Sequence, residues 1–587
     1  MNREKKQKNK AFYLNRYINK FKFYVFWGPF FKALEASTEI IVPFLMAKII
    51  DEFIPNGLNN YVWLYTALIL GLNIIGIFAA VIGQKFAAIT SESIGKEIRK
   101  DMFVHINTFS HKELDKFSTA SILNRTIGDV YNLQNGIALF LRSALRAPFI
   151  LIGSIIMAVI IDVKMSIVFV IVLPIILFVV LFIMKKLVPY LAESKRREDK
   201  TSAVTRENLS GVRVIRAFNN QNYEIKRFDK TNSDLLDINM REGRVAAALM
   251  PLIYLIINLS IIVLIYFGGL EINLGNGLTQ GNLIAFINYF LQVSMGLIMV
   301  ARLITMITRM KTSSDRINEL MLVKNSITDP KRPVLINKET AQGKVEFCDV
   351  SFSYNGIKNV VNNLSFVANP GEIIGIIGGT GSGKSSIVNL IPRFYDVTKG
   401  KVKIDDVPIT RYKVNDLRKM IGIVPQNPTL FEGTIRTNMA WANLDATDEE
   451  IILALKIAQA YEFVSEYPDG LSHRVNRGGT NFSGGQRQRL TIARAIVNNP
   501  NILILDDSSS ALDFATDAKL RNAIKKQLKA TIFIVSQRTN SIKNADKIIV
   551  LDAGQVVGIG KHSELMENCE IYREIHLSQQ QGGEKHV

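Results

Sequence analysis

Residues 378–386 read GGTGSGKSS, a run that joins flexible backbone to one lysine and several hydroxyls. Gly378 to Ser385 fit the spacing G-x-x-x-x-G-K-[ST], in which glycines let successive backbone N–H groups curl around phosphates. Gly378, Gly379, Gly381 and Gly383 supply that freedom, with Thr380 and Ser382 between them. Lys384 would reach the β- and γ-phosphates of a nucleotide, and the Ser385 hydroxyl would bind Mg²⁺. Ser386 follows at the start of a helix whose N-terminal dipole faces the anion. ATP with Mg²⁺ is the ligand this chemistry expects.

A second set of residues supplies carboxylates. The apolar run ILILDD (502–507) ends in Asp506 and Asp507. Asp506 is placed to hold Mg²⁺ through water, and Asp507 sits where a base would orient an attacking water. Between the two runs comes FSGGQRQRL (482–490), in which Ser483, Gly484, Gly485 and Gln486 open a helix and form another anion-binding N-terminus. Taken alone, that segment would be an ordinary loop and helix cap.

The elements that must position these groups begin near residue 344. VEFCDVSFSY (345–354) alternates apolar and polar residues as a half-buried strand does, and GEIIGIIG (371–378) is an apolar strand leading into the glycines. Ahead of this α/β domain the chain has a different character. Of its 587 residues 48% are hydrophobic, and the long apolar runs crowd into the first 310. A bilayer core about 30 Å thick needs about 20 apolar residues per helix. Six stretches qualify, near 23–50, 61–87, 137–161, 163–186, 245–270 and 281–303. The expected organisation is a cytosolic N-terminus with an interfacial helix (1–22), a six-helix transmembrane domain (23–320), a linker (321–343), the nucleotide-binding domain (344–580) and a mobile tail (581–587).

Charge sets the orientation. The net charge is +19. The basic runs flank the apolar stretches, as at residues 3–10 and Lys195-Arg196-Arg197, which fits cytoplasmic loops facing anionic lipid rather than nucleic acid. Connections 51–60, 162–163 and 271–280 are short and nearly free of Lys and Arg, whereas the two long connections are basic. The short loops are expected outside, and the long loops and both termini in the cytosol. Within the long connections, 110–121 and 208–219 are expected to form short crossing helices able to touch a soluble domain. Cys348 and Cys569 form no CxxC pattern, which suits the cytosol, and the scattered histidines suggest no metal cluster.

Ionisable groups inside apolar spans are costly and face a cavity or a partner. Glu35 and Glu39 lie four apart on one helix face, near Lys32. Two readings stand side by side: a translocation cavity that tolerates cations, or interhelical pairing, for example with a neighbouring arginine.

On the combined residues Gly378–Ser385, Ser483–Gln486 and Asp506–Asp507, the chain resembles the ATP-binding-cassette exporters. The likeness is to half-transporters with six spans ahead of one ATPase domain, and it covers nearly the whole length. It implies a polytopic α-helical membrane domain joined to an α/β P-loop domain, in a bacterial plasma membrane. It also implies that Tyr354 stacks on adenine, that Gln426 in IVPQNPTLF touches Mg²⁺ and the membrane domain, and that Ser483–Gln486 are the signature. Asp513 in SALD would lie in the loop that crosses the dimer interface. Two ATP molecules would be sandwiched between two such domains, so a second half-transporter is required.

Two positions depart from that pattern. The family's fully active members have glutamate where this chain has Asp507, and histidine where it has Gln537. The shorter carboxylate withdraws by about 1 Å, and a misplacement of that size costs about a hundredfold in rate. Gln537 cannot be protonated. With an intact signature, this resembles the weaker-hydrolysis subunit of bacterial heterodimeric multidrug exporters. The alternatives are a slow homodimeric exporter, a lipid flippase or an ATP-gated channel. A small amphipathic cargo is the expectation, with no nucleic-acid partner.

Overall fold

The computed structural model describes residues 14–144, 146–275, 277–336 and 338–583. The basic run at 3–10, the first part of the expected interfacial helix and the last four residues lie outside that set. The chain divides into two compact units, residues 1–107 with 119–323, and residues 108–118 with 324–587.

In hydrocarbon no water satisfies the backbone, so an apolar run must close its own hydrogen bonds as a helix. The first unit follows that rule. Helix α1 covers 14–20, where Tyr17 donates to Asp101 at 2.6 Å and Lys20 pairs with Glu97 at 2.6 Å. After it come α2 (Lys22–Lys48), α3 (Asn59–Asn107) and, past the short α4 (His111–Lys116) of the other unit, α5 (Thr119–Asn124). The rest are α6 (Val130–Ser143), α7 (Arg146–Ile161), α8 (Ile167–Ala217), α9 (Gln221–Asn273) and α10 (Gln280–Met321). Helices α3, α8 and α9 have 49, 51 and 53 residues. At 1.5 Å per residue each is about 75 Å long, more than twice the hydrocarbon thickness, so each continues well beyond lipid. Large apolar side chains such as Phe78, Ile171, Phe178 and Ile262 are exposed on their outer faces, as a lipid-facing surface requires.

Five segments, Asn59–Asn107, Thr119–Ile161, Ile167–Ala217, Gln221–Asn273 and Gln280–Val300, are long and apolar enough to cross a membrane by length and composition. The expected first span is not among them. Helix α2 has the length, 27 residues, but Lys32, Glu35 and Glu39 interrupt its apolar run. Those charges are mutually paired. Lys32 Nζ donates to Glu35 at 2.7 Å, while Arg146 on α7 lies 3.4 Å from Glu35 and donates to Glu39 at 2.7 Å. Of the two readings for Glu35 and Glu39, the geometry is that of interhelical pairing. Gln292 on α10 extends the network, accepting from Ser154 at 2.9 Å and donating to the Glu39 carbonyl at 3.3 Å.

The two expected crossing helices differ. Residues 111–116 do form a short helix, α4, begun by a reciprocal cap between Ser110 and Glu113. Residues 208–219 do not: α8 runs unbroken through Ala217, and the chain reverses over 218–220, with Asn219 in the left-handed region at φ 55°. Nothing in NLSGVRVIRA stops the helix before Asn219 offers a left-handed turn, a conformation Asn tolerates.

The second unit is built on two sheets. Strands β1 (Val345–Phe352), β2 (Val361–Ala368), β4 (Lys399–Ile404) and β5 (Val407–Pro408) form an antiparallel sheet in the order β2-β1-β4-β5. The larger sheet uses β3 (Ile373–Gly378), β6 (Ile421–Val424), β9 (Ile502–Asp506), β10 (Thr531–Val535), β11 (Lys547–Asp552) and β12 (Gln555–Gly560). Its order is β12-β11-β3-β10-β9-β6, parallel except for the edge strand β12. A short ribbon of β7 (Gly433–Thr434) and β8 (Arg474–Val475) lies in the helical insertion. The helices are α11 (Lys384–Leu390), α12 (Val414–Lys419), α13 (Ile435–Ala440), α14 (Asp448–Ile457), α15 (Tyr461–Ser465), α16 (Gly484–Ile496), α17 (Phe514–Gln527), α18 (Thr539–Ile542), α19 (His562–Asn568) and α20 (Glu570–Gly583).

Both faces of the larger sheet are covered. Leu503, Leu505, Ile532 and Ile534 face one core, and Ile374, Ile376, Ile504 and Phe533 face the other. That is why its strands read as continuous apolar runs instead of alternating. Residues 108–118 belong to this unit. His111 stacks on Phe394 at 4.2 Å, Tyr395 donates to Asp115 at 2.7 Å, and Glu113 accepts from the Ser326 backbone at 3.2 Å.

Replacing Arg146 with Met should leave Glu39 without its cationic partner, while Glu35 keeps Lys32. The pair is half-buried, and losing a hydrogen bond between charged groups costs about 1.5–3 kcal/mol. Thermal unfolding of the full chain in detergent should show a clear fall in Tm, and an unchanged Tm would remove the network from the list of stabilising contacts.

Candidate nucleotide site

Parallel pairing makes the site. Val535 on β10 lies opposite Ile376 of β3 on one side and Asp506 of β9 on the other. The three strands therefore end together, and the loops at their carboxyl ends meet, which is where open α/β sheets place ligands. From β3 comes the glycine loop, from β9 the pair Asp506–Asp507, and from β10 the loop carrying Gln537. Thr380, Gly381, Gly383, Lys384, Ser385, Ser386, Gln426, Asp506, Asp507 and Gln537 all line one cavity of about 240 Å³.

Backbone shape in the loop demands glycine. A Cβ on Gly378 would sit 2.2 Å from the Leu551 carbonyl oxygen. Gly383, at φ 96°, precedes α11 in the left-handed region, and a Cβ there would meet the Val360 oxygen at 2.8 Å. Gly379 contributes its carbonyl. Lys384 Nζ donates to Gly378 O at 2.9 Å and Gly379 O at 2.7 Å, so the ammonium is folded back into the loop. Burial lowers the Lys384 pKa, against the pull of Asp507 and Asp506. Ser382 is buried, and its hydroxyl has no partner among the described residues.

Ser385 Oγ donates to Asp506 Oδ1 at 3.0 Å. Burial raises the Asp506 pKa, and the Ser385 hydrogen bond opposes it. A hydroxyl and a carboxylate oxygen held this close are the hard oxygen donors Mg²⁺ prefers. Ser385 and Asp506, with Gln426 lining the same cavity, would hold the ion, which would supply positive charge against the phosphates.

Asp507 adopts the left-handed region at φ 46°, a conformation that Asp, like Asn, tolerates. Gln426 Nε2 donates to its Oδ2 at 3.4 Å. Burial raises the Asp507 pKa, and Gln426, Arg538 and Lys384 pull it back. The side chain of Gln537 is exposed, while its carbonyl accepts from Gln579 of α20 at 2.7 Å. Tyr354 is half-exposed beside the cavity; its hydroxyl lies 2.9 Å from Ser386 Oγ, and its ring meets Tyr395 edge-on at 5.1 Å.

The signature residues are elsewhere. Ser483 caps α16 through a reciprocal bond with Gln486, and Gly484 and Gly485 form its first turn. None of the four lines the cavity. Asp513 caps α17, accepting from Thr516 N at 2.9 Å, and is likewise outside it. Two participants were not singled out from sequence. Arg538 acts on Asp507 and directly follows Gln537, which is the one signal that could have found it. Gln579 braces the Gln537 loop from 42 residues away, and nothing in the sequence announces that contact.

Comparison with known proteins agrees with this geometry. Residues 25–297 match the ABC transporter transmembrane region and residues 361–510 match the ABC transporter family. An uncharacterized ABC transporter ATP-binding protein of Bacillus subtilis, YfiB, is 35% identical over 93% of this chain and 94% of its own. A putative multidrug export ATP-binding/permease protein of the same organism, YgaD, is 30% identical over 95% of this chain and 97% of its own. The structure of a bacterial Atm1-family ABC exporter with ATP bound superposes with a TM-score of 0.78 at 22% identity, covering 97% of this chain and 98% of that one.

Lys384→Ala should remove a charge-assisted contact to phosphate worth about 1.5–3 kcal/mol. Equilibrium titration with a fluorescent ATP analogue should then show affinity weaker by about ten- to hundredfold. Unchanged affinity would place the phosphates elsewhere.

Proposed function

This chain belongs to the ABC transporter family, and from that membership we propose that it is the subunit of a heterodimeric exporter that binds ATP at its own site but hydrolyses it poorly there. It is a multi-pass membrane protein and an ATPase-coupled transporter, with its nucleotide domain in the cytosol as in this family. The single observation that carries the finer reading is Asp507. It is one methylene shorter than glutamate and tied back to Gln426 at 3.4 Å. Gln537, lining the same cavity, can offer a neutral amide N–H but no positive charge to a developing phosphate anion.

The complementary half of the reading is the signature. Ser483 and Gln486 cap each other, so α16 begins with its backbone N–H groups pre-set toward an anion. Because these residues lie outside this chain's own cavity, they serve the ATP held by a partner's glycine loop. The partner would supply the glutamate and histidine, and its ATP would be the one hydrolysed. Here Lys384 and Ser385 hold ATP and keep the two domains together. A relative named for multidrug export, YgaD, supports a small amphipathic cargo leaving the inner leaflet or cytosol.

Transmission runs through the long helices. ATP binding favours the closed pair of nucleotide domains, a shift of a two-state equilibrium set by differential affinity. Helix α4 is tied to the nucleotide domain through His111–Phe394 and Asp115–Tyr395, and Tyr395 adjoins Tyr354 at the expected adenine position. The turn at 218–220 presents Val214 and Phe218 to solvent, an apolar tip suited to the partner's nucleotide domain. Closure would carry both tips inward, reopen the cavity outward and release cargo.

Expressed alone, the chain should bind ATP and show slow turnover. With a half-transporter carrying Glu and His at the matching positions, Ser483→Arg should abolish ATPase activity while Asp507→Asn changes it little. Residual turnover from its own site should fall as pH drops toward the raised Asp507 pKa, since the protonated carboxyl cannot orient water. Robust ATPase activity of the isolated chain that vanishes with Asp507→Asn would instead establish a homodimer.

A further inference from the structure

A second cavity, of about 310 Å³, lies beside α17 and shares no residue with the nucleotide site. Its floor is aliphatic. Ile373, Leu505, Ile532 and Ile534 rise from the adjacent strands β3, β9 and β10, and Ile524 closes the wall from α17. Four of these five side chains are buried, all but Ile373, which is partly buried. The rim is cationic and amide-bearing. Arg521 and Lys525 stand one turn apart on α17, with Asn522 between them and Asn544 among the other lining residues. Among the described residues no aspartate or glutamate lines the cavity.

The two cations differ in readiness. Arg521 is fixed: it pairs with Asp517 at 3.1 Å and donates to the carbonyls of Asn540 and Ser541, each at 3.0 Å. The nearby carboxylate of Asp517 is thereby occupied. Lys525 is exposed and has no ion-pair partner among the described residues. An aliphatic floor under such a rim favours one kind of ligand. A neutral apolar compound would leave the rim unanswered, and a small inorganic anion would leave the floor wet. The volume is at the small end of organic-ligand sites, about 300–1,000 Å³.

We propose that this cavity binds a small amphipathic monocarboxylate, its apolar body on the isoleucines and its carboxylate between Lys525 and Asn544. The position gives such a ligand leverage. Helix α17 starts at the cap Asp513, and α18, which contributes Ser541 to the lining, starts two residues after Gln537. An occupant seated against both helices sets their spacing, and with it the placement of Asp513 and Gln537 at the nucleotide interface. This site stands independently of whether the transporter is a heterodimer.

Photolabelling tests it. The full-length protein in lipid nanodiscs is irradiated with benzophenone-4-carboxylate, and labelled peptides are mapped by mass spectrometry. Labelling should concentrate on residues 518–525 and 541–545, compete with 1-naphthoate and persist in excess ATP. Lys525→Glu should lower it roughly fivefold or more, a loss of about 1 kcal/mol in binding. Ala518→Phe, an exposed lining position, should block the mouth while azido-ATP labelling stays at the wild-type level. Equal labelling by uncharged benzophenone would overturn the carboxylate requirement. Label confined to the membrane helices, displaced by ATP, or unaffected by Lys525→Glu would overturn the site itself.

Discussion

The hydrogen-bonded sandwich of β10 between β3 and β9 is the constraint on which the nucleotide site rests. Its register brings Ile376, Val535 and Asp506 level, so the glycine loop opens at the same edge as two loops that follow it far along the sequence. A slip by one residue would invert every side chain on β10 and exchange its two core faces. Phe533 and Val535 pack into one core and Ile532 and Ile534 into the other, so the burial of both faces holds that register. The positions of Lys384, Asp507 and Gln537 are therefore consequences of apolar packing beneath them.

The membrane unit answers a different demand. Its helices satisfy their own backbones and turn apolar side chains outward, so they need internal contacts of another kind to select one arrangement. The Lys32–Glu35–Arg146–Glu39 network, with Gln292 and Ser154, links α2, α7 and α10 by directional bonds. Asp51 does the same at the start of α10, accepting from Gly281 N at 2.7 Å and Asn282 N at 3.1 Å. A Cβ on Gly281 would meet the Ala47 oxygen at 2.6 Å, so this close approach needs glycine. In an apolar solvent such groups have few competing partners, and a small number of them specifies helix pairing.

Asp507 joins the two levels. Its carboxyl is one methylene shorter than that of a glutamate, and desolvation by its surroundings raises its pKa. The Ser483–Gln486 cap is formed and lies outside the cavity that Asp507 lines.

By itself the sequence determined what local chemistry and periodicity can encode. The glycine loop, the Asp506–Asp507 pair, the serine-capped helix and the long apolar runs were all legible, because each depends on residues close together in the chain. The reach of α8 through Ala217 was misread, because nothing local distinguishes a helix that continues from one that turns until Asn219 permits the reversal. Glu35 and Glu39 left two readings open until Arg146, on another helix, was placed beside them. Arg538 on Asp507, Gln579 on the Gln537 loop and the aliphatic cavity beside α17 were decided only by tertiary structure. Each brings together groups whose separation along the chain carries no signal, since proximity in a packed core follows from strand order and burial, not from spacing.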